Sequence, residues 1–461
     1  MLNDIITPLG ADFASGVQTV LRGHENRSRR VVLLNGSLVQ NSRSESRGVS
    51  ARVTKNGYHG FASSAAYTAG DARAVLRSAT DNALFLSSRA TAARGGYPAL
   101  PGGVVTPLRD VVDCEQKRIL DMCRRLDDHL TAAYPELISR QVAYVEDSQD
   151  KIILTSDAAS GHVTYPRCYV YVFLTAQGDN GAPVQLFRSF GGAGCFDDWF
   201  SDVTAYYGAI DQLHEHLMNK SHGVYAEAGA KTVILGGIMG GMLAHEAVGH
   251  TVEADLVLGG SVAGPNLNKP VASELVSLVD FAHTAFGEST PLPVLLDDEG
   301  TLAADAVLID RGVLTGYMNS RETAQRFGVA PAGNMRAWLY NDEPLIRMRN
   351  TCILPGKSTL KEMIASIDDG YYLMDSTNGQ ADLTGEFMFG VSLGYEIKNG
   401  KLGRALLDTT VSGVAFDMLK TVDMVSDAVQ WCSAGFCGKK QPMPVGMGGP
   451  AMRCRIQIGG R

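Results

Sequence analysis

The sequence predicts an α+β protein, in which an N-terminal α/β-layered domain over residues 1–225 precedes a β-rich C-terminal domain over residues 226–461. Two patterns support this class. Helical periodicity alternates with strand-like runs in the first half, whereas most patterned segments of the second half are short runs of β type separated by turn residues. A length of 461 residues indicates two or three domains, and the 45% hydrophobic content supplies a substantial core.

The N-terminal domain begins with a predicted hairpin over residues 31–40, because Asn35-Gly36 favours a type I′ turn between two apolar runs. Amphipathic spacing predicts helices over residues 74–88 and 115–133. A long helix over residues 197–219 closes the domain, and its His214 and His216 point apart by about 200°, which disfavours a shared metal ion. Strands are predicted between these helices at residues 141–145, 151–155, 168–174 and 184–187.

The C-terminal domain begins with a predicted strand at residues 231–235, a glycine-rich turn and a helix from about Met239. Later segments are mostly β, and we expect a helix from Thr421 to about Trp431 before a terminal strand at residues 452–458. Predicted strands between these segments lie at residues 306–309, 313–318, 390–397 and 403–410. The turn at residues 236–241 lacks the G-x-G-x-x-G order, so it does not indicate dinucleotide binding.

Charge and cysteine content narrow the function classes. A net charge of −8 disfavours nucleic-acid and anionic-membrane partners, and we expect the basic run at residues 22–30 to be a solvated face. The first residues lack the features of a secretory signal, and the longest apolar stretch, residues 232–244, is too short to span a bilayer. The 8 cysteines form no C-x-x-C pair, so we expect a soluble cytoplasmic protein in a reducing compartment.

The sequence His245-Glu246-Ala-Val-Gly249-His250 indicates zinc-dependent hydrolysis. Neutral imidazoles are preferred zinc ligands, and a neighbouring carboxylate that does not bind the metal can take a proton from the attacking water. We therefore predict that His245 and His250 bind the metal and that Glu246 is the base. The alternative is two unrelated histidines.

The spacing of the two histidines poses a geometric problem. Residues four apart on an α-helix lie roughly 40° apart, whereas residues five apart lie roughly 140° apart and diverge. Glycine reaches left-handed backbone angles at little cost and often ends a helix. We therefore predict that Gly249 breaks the helix and turns His250 back toward His245.

A zinc site needs a third protein ligand, which must come from another part of the chain. Three motifs carry a resemblance to a known family, and this resemblance covers nearly the whole chain. HEAVGH followed by Glu253, DDEGT at residues 297–301 and GFCGK at residues 435–439 resemble the TldD/PmbA family of metallopeptidases. The resemblance extends to residues 52–63 and to the Gly333-Asn334 and Gly379-Gln380 pairs. It implies that His245, His250 and Cys437 hold Zn²⁺ and that Glu246 is the general base, as in the catalytic TldD-type branch. Lys440 departs from the pattern, because glycine is expected there.

The resemblance also implies the reaction and the partners. We expect a peptidase that hydrolyses unfolded or leader-type peptides, binds them in an extended form, and forms a homodimer or a heterodimer with a PmbA/TldE-type paralogue. Two other functions stay open. The chain could be a noncatalytic PmbA-like scaffold subunit, or it could be a zinc amidase that acts on a small molecule.

Other polar residues near these motifs have open roles. Glu253 and Asp255 either orient the metal-binding imidazoles or form a solvated acidic turn. Arg347 and Arg349 are candidates for binding a substrate carboxylate. Cys432 and Cys454 are expected to pack as structural residues.

Overall fold

The computed structural model describes residues 2–91 and 95–459, and it confirms the α+β class. An antiparallel sheet with a short parallel strand at one edge occupies the N-terminal half, and a larger mixed sheet occupies the C-terminal half. Within the described ranges, no helix combines the length and the apolar character that a membrane crossing requires.

Seven strands form the first sheet, in the order β3-β2-β1-β5-β6, with β4 and β7 both paired to β6. The predicted hairpin is confirmed, although its strands are far longer than expected. Asn35 and Gly36 both have positive φ (48° and 81°), as a type I′ turn requires. The strands are β1 (Gln18–Leu34), β2 (Ser37–Lys55), β3 (Tyr58–Ser64), β4 (Val104–Val105), β5 (Ser139–Thr155), β6 (Ser160–Gln177) and β7 (Pro183–Ala193).

Helices cover the first sheet and create two apolar cores. One core lies under α3 and α5 and includes Leu126, Val170 and Leu217, and the other lies under α2. The long helix predicted over residues 197–219 is wrong as one element, because the chain is interrupted after Trp199 and the Asp202 side chain caps a new helical turn. The helices are α1 (Leu2–Ile6), α2 (Ala69–Arg89), α3 (Gln116–Ala133), α4 (Phe196–Trp199) and α5 (Tyr207–Ser221).

Eleven strands form the second sheet, in the order β13-β12-β9-β16-β22-β20-β18-β17-β8, with β19 paired to β18 and β21 to β22. Because β22 also pairs with β8, the strands β8, β17, β18, β20 and β22 close into a ring. The strands of this half, including two short hairpins outside the sheet, are β8 (Gly229–Leu235), β9 (Leu278–Phe281), β10 (Thr284–Ala285), β11 (Glu288–Ser289), β12 (Ala306–Asp310), β13 (Val313–Leu314), β14 (Met335–Arg336), β15 (Leu345–Ile346), β16 (Asn350–Ile353), β17 (Asp369–Ala381), β18 (Glu386–Lys398), β19 (Lys401–Ala405), β20 (Thr409–Val414), β21 (Met424–Cys437) and β22 (Met443–Ile458).

The helix predicted from Thr421 to Trp431 is wrong, because these residues enter strand β21. Trp431 lies over Gly448 of β22, where a Cβ atom would be 2.6 Å from the indole ring. The glycines of β22 therefore leave room for a large side chain on the neighbouring strand, a tertiary effect that local periodicity does not show. The helices of this half are α6 (Gly237–Met242), α7 (Ala254–Leu258), α8 (Arg321–Phe327), α9 (Leu360–Ala365) and α10 (Ala415–Lys420).

Buried ion pairs join the two halves. Asp298 of the DDEGT turn lies 2.8 Å from the Lys151 ammonium and 3.2 Å from the Arg22 guanidinium, and all three side chains are buried. Glu299 of the same turn pairs with Arg52. The expectation of a solvated basic face over residues 22–30 is therefore wrong for Arg22, which anchors the C-terminal half to the first sheet, and for Arg29, which is also buried and pairs with Asp113.

Candidate metal centre

Helix α6 and the turn that follows it pack very closely on strand β22. A Cβ atom at Gly237 would lie 2.6 Å from the Gly449 carbonyl oxygen, and one at Gly240 would lie 2.9 Å from the Pro450 carbonyl oxygen. Larger residues at these positions would push the helix off the sheet. The predicted glycine-rich turn is therefore part of helix α6, and its glycines set the depth at which His245 is buried.

The two histidines lie on a π-helix, and this geometry resolves their spacing. Residues Leu243–Gly249 form the π-helical segment, and the backbone N–H of His250 donates to the carbonyl of His245. Because π-helical hydrogen bonds join residues five apart, they place these two side chains about one turn apart on the same side. Their rings meet edge to face, with centroids 5.3 Å apart.

Gly249 does not break this segment, so the predicted left-handed turn is wrong. Its φ is −53°, and helical geometry continues through His250. A Cβ atom at this position would lie 2.1 Å from the Sδ atom of Met348, a buried residue. Close packing, and not backbone freedom, explains glycine here.

Cys437 is the last residue of β21 and faces the histidine pair. Its Sγ atom lies 3.3 Å from Nε2 of His250, and ligand atoms of His245, His250 and Cys437 all lie within 4.8 Å of one another. Cys437 follows His250 by 187 positions in the sequence, so no local sequence pattern shows that the two side chains are in contact. The structure therefore brings together the three residues that the sequence motifs singled out.

The protonation states of Cys437 and His250 depend on each other. Burial disfavours the thiolate, but the adjacent imidazoles of His245 and His250 lower the pKa of Cys437 to about 3. Burial likewise disfavours the imidazolium, but hydrogen bonds to Cys437 and Glu253 raise the pKa of His250 to about 10. The metal-free centre thus holds a thiolate and an imidazolium near neutral pH.

His245 provides the test of whether a metal fits. Its side chain is fully buried, and neither ring nitrogen has a hydrogen-bond partner in the described ranges. Buried polar atoms without partners are rare and costly, so these nitrogens, which lie next to two other donor side chains, favour a ligand for this imidazole. Two imidazoles and a thiolate form a donor set that suits zinc and leaves one tetrahedral position open. The residues present therefore fit a zinc ion of the catalytic type.

Glu246 lies beside the three donors. One of its carboxylate oxygens is 3.9 Å from Nε2 of His245, and the other is 3.8 Å from Nε2 of His250. Its side chain is partly exposed, with 20% of its surface accessible. A carboxylate in this position can reach a water molecule at the centre and still exchange protons with solvent.

Of the two acidic residues after His250, Glu253 belongs to a buried network, whereas Asp255 lies at its partly exposed edge. Glu253 is fully buried and accepts a hydrogen bond from Nδ1 of His250 at 2.8 Å, which orients the imidazole. Asp255 does not contact either histidine and instead pairs with Lys439 at 2.8 Å. Nζ of Lys439 also lies 3.2 Å from Oε2 of Glu253, the oxygen that accepts the hydrogen bond from His250.

Arg347 and Arg349 do not form a substrate site, because both side chains are fully buried. Arg349 pairs with Asp280 at 2.8 Å. Arg347 donates to the backbone carbonyls of Cys437, Lys439 and Gln441 at 2.7 to 3.0 Å. Sequence reasoning missed this role, since a cation that binds carbonyl groups leaves no motif.

The other candidate cysteines lie outside the donor group. Cys432 is on β21 opposite Met447, and Cys454 is buried on β22 opposite Val233. Burial raises the pKa of both thiols, to about 12 for Cys454. Both are therefore neutral thiols, unlike Cys437.

Comparison with known proteins gives the family. The family model for the PmbA/TldA metallopeptidase C-terminal domain matches residues 228–460, and that for metallopeptidase domain 1 matches residues 20–84. A metalloprotease from Methanothermobacter thermautotrophicus is 31% identical over 451 residues, which cover 95% of each chain. A zinc metalloprotease TldD homolog from Saccharolobus solfataricus is 28% identical over 362 residues, which cover 76% of this chain and 78% of that one.

A solved structure shares the fold over the full length. TldE from Thermococcus kodakarensis matches with a TM-score of 0.76, and the match covers 100% of both chains at 14% sequence identity. Such low identity speaks for architecture alone. The family model over the C-terminal half and the full-length relative together show that this chain belongs to the PmbA/TldD family of metallopeptidases.

Proposed function

We propose that this protein is a zinc-dependent peptidase with His245, His250 and Cys437 as metal ligands and Glu246 as the general base. One observation carries the proposal: three donor atoms converge within 4.8 Å, and one of them belongs to a fully buried imidazole that has no hydrogen-bond partner among residues 2–91 and 95–459. The name of the Saccharolobus solfataricus relative supports zinc as the metal.

The chemistry follows from the positions of the side chains. When bound, zinc supplies a Lewis acid that acidifies water and polarises a peptide carbonyl. Glu246, 3.8 to 3.9 Å from the two imidazoles, takes the proton of the attacking water and delivers it to the leaving amine. Glu253 holds the ring of His250 through Nδ1, so that Nε2 faces Cys437.

The substrate proposed is an unfolded or leader-type peptide in an extended form. Within the described ranges, β21 ends at Cys437 and forms a ladder with β22 on one edge, while on the other edge Ser426, eleven residues before Cys437, bridges to Ser358. Its other edge supports recognition through backbone hydrogen bonds, in which the peptide adds a strand next to the metal ligands. Folded domains lack such free strands and are expected to be spared.

The assembly proposed is a dimer, either of two copies or with a TldE-type paralogue. The shared fold with TldE from Thermococcus kodakarensis supports a partner of the same architecture. Sedimentation of the chain alone and with a coexpressed paralogue tests this assembly.

Exchange of Glu246→Gln tests the reaction. The variant is expected to bind zinc with wild-type stoichiometry and to lose about 10² or more in turnover of a mixed unfolded-peptide library, because only the proton acceptor changes. Wild-type activity in the zinc-loaded variant would remove Glu246 from the mechanism. Zinc binding by the wild type without any peptide cleavage would instead favour a noncatalytic scaffold.

A further inference from the structure

Lys439 lies at the meeting point of the two segments that carry the metal ligands. Its ammonium group contacts Asp255 at 2.8 and 3.0 Å, Glu253 at 3.2 Å and the carbonyl oxygen of Ile346 at 3.2 Å. Only 10% of the side chain is exposed. Lys439 follows Cys437 by two residues, yet its charge is directed at the segment after His250.

Glu253 links this ammonium group to the metal ligand. A single carboxylate oxygen, Oε2, accepts from Nδ1 of His250 at 2.8 Å and lies 3.2 Å from Nζ of Lys439. The other oxygen is buried without a hydrogen-bond partner in the described part of the chain. Only Oε2 of the Glu253 carboxylate is therefore held by polar partners, and its position depends on both His250 and Lys439.

We propose that Lys439 is a positioning residue that fixes Glu253, and through it the ring of His250, and thereby sets the affinity for zinc. This inference rests on the proposed function, because it takes His250 as a zinc ligand. Without Lys439, the fully buried Glu253 keeps one partner and can rotate about it. The imidazole then loses its fixed orientation, and groups that orient a metal ligand typically contribute 10- to 100-fold in metal affinity.

Simple electrostatics predicts the opposite result, which makes the inference testable. Removing a cation near a dication strengthens binding if charge repulsion is its main effect. Asp255 and Glu253 already neutralise Lys439, and the side chain of Asp255 is 38% exposed, so solvent screens that pair. We therefore expect the loss of orientation to outweigh the relief of repulsion.

The backbone around Lys439 is held independently of its side chain. Arg347 donates to the carbonyls of Cys437, Lys439 and Gln441, so the segment keeps its course when the ammonium is removed. Lys439→Met preserves the length of the apolar stem and removes only the charge and its hydrogen bonds. Lys440→Met is a matched control, because Lys440 is the neighbouring lysine and its side chain is exposed.

The experiment measures zinc affinity by competition with a chromophoric chelator, in the full-length chain, for Lys439→Met, Glu253→Gln and the double variant. We expect each single variant to bind zinc 10- to 100-fold more weakly. The double variant should bind no more weakly than Glu253→Gln, since Lys439 acts through Glu253. Lys439→Arg should remain within about threefold of wild type because it keeps the charge and the hydrogen-bond donors, and so should Lys440→Met, because it removes only an exposed charge.

The outcomes separate this inference from the proposed function. Unchanged or tighter zinc binding by Lys439→Met, or losses that add fully in the double variant, would overturn the positioning role while leaving the zinc site intact. Failure of the wild type to bind zinc would overturn the proposed function itself. If Lys439→Met does not fold, Lys439→Gln takes its place in the cycle, because it removes the charge and keeps a donor.

Discussion

The π-helical segment Leu243–Gly249 and the segment from Cys437 to Gln441 meet at the same centre, but different forces hold them in place. The first is positioned by apolar packing on the second sheet, with glycines where helix and strand touch. The second is positioned by the hydrogen bonds and ion pairs of Arg347 and Lys439. We therefore expect substitutions that change side-chain volume to disturb the histidines, and substitutions that change charge to disturb the Cys437 side of the centre.

Replacement of Cys437 by alanine is expected to have the largest effect. Under the proposed ligand set, zinc is expected to stabilise the folded chain, by about 4 kcal/mol when free zinc exceeds the dissociation constant 1,000-fold. Cys437→Ala should lose this zinc-dependent increase in the free energy of unfolding, together with peptide cleavage. Urea denaturation with and without zinc measures it.

Cys432→Ala and Cys454→Ala serve as controls for that experiment. Both thiols lie outside the donor group, so both variants should keep the zinc-dependent stabilisation. Cys454→Ala should lower the baseline stability, because it empties space in a buried strand. Full zinc occupancy in folded Cys437→Ala would contradict the ligand set.

A pair of glycine replacements tests the contrast between the two segments. Gly249→Ala forces a Cβ atom to 2.1 Å from Sδ of Met348, and overpacking of this kind costs about 1–3 kcal/mol. Gly438→Ala adds a Cβ atom with nothing within 4 Å, so its stability should change by less than about 0.5 kcal/mol. Thermal unfolding of both variants measures these changes in stability. If both variants lost the same stability, close packing at Gly249 would not be what positions the π-helical segment.

The sequence predicted the composition of the centre better than its geometry. The motif spacing showed that His245 and His250 needed an unusual backbone, and the structure provides it as a π-helix and not as a glycine break. The π-helical segment packs against Met348, and the helix before it packs against β22. Single-sequence periodicity contains no record of that packing.

The fold shows a similar division. Turns with strong local preferences, such as Asn35-Gly36, were predicted correctly, because the residues themselves favour the required φ values. Residues 424–431 of strand β21 were predicted as part of a helix, since their strand character depends on pairing with β22. The roles of Arg347 and Lys439 were not predicted, because their partners are backbone carbonyls or acids distant in sequence.

The number of protons released on zinc binding tests the charges expected on Cys437 and His250. With a pKa lowered to about 3, Cys437 is already a thiolate at pH 7.5, whereas His250, with a pKa raised to about 10, carries a proton that zinc must displace. At pH 6, where water bound to zinc still keeps its proton, binding should therefore release about one proton, and affinity should rise about tenfold per pH unit between pH 5 and 6. Calorimetry in two buffers of different ionisation enthalpy counts the protons. Release of two protons would mean that the metal-free protein holds Cys437 as a thiol.

Replacement of Lys440 by glycine is expected to have the smallest effect and the opposite sign. Lys440 has a φ of +58°, the left-handed conformation that a residue with a Cβ atom adopts at a cost of about 1–2 kcal/mol. Glycine removes this strain but gives back part of the gain, because it loses more backbone entropy on folding. Lys440→Gly should therefore raise the free energy of unfolding by about 0.5–1 kcal/mol without changing zinc affinity. Lys440→Ala, which keeps the strain and removes only the exposed side chain, should match the wild type. If the glycine variant were no more stable than the alanine variant, the positive φ of Lys440 would not be a source of strain in this segment.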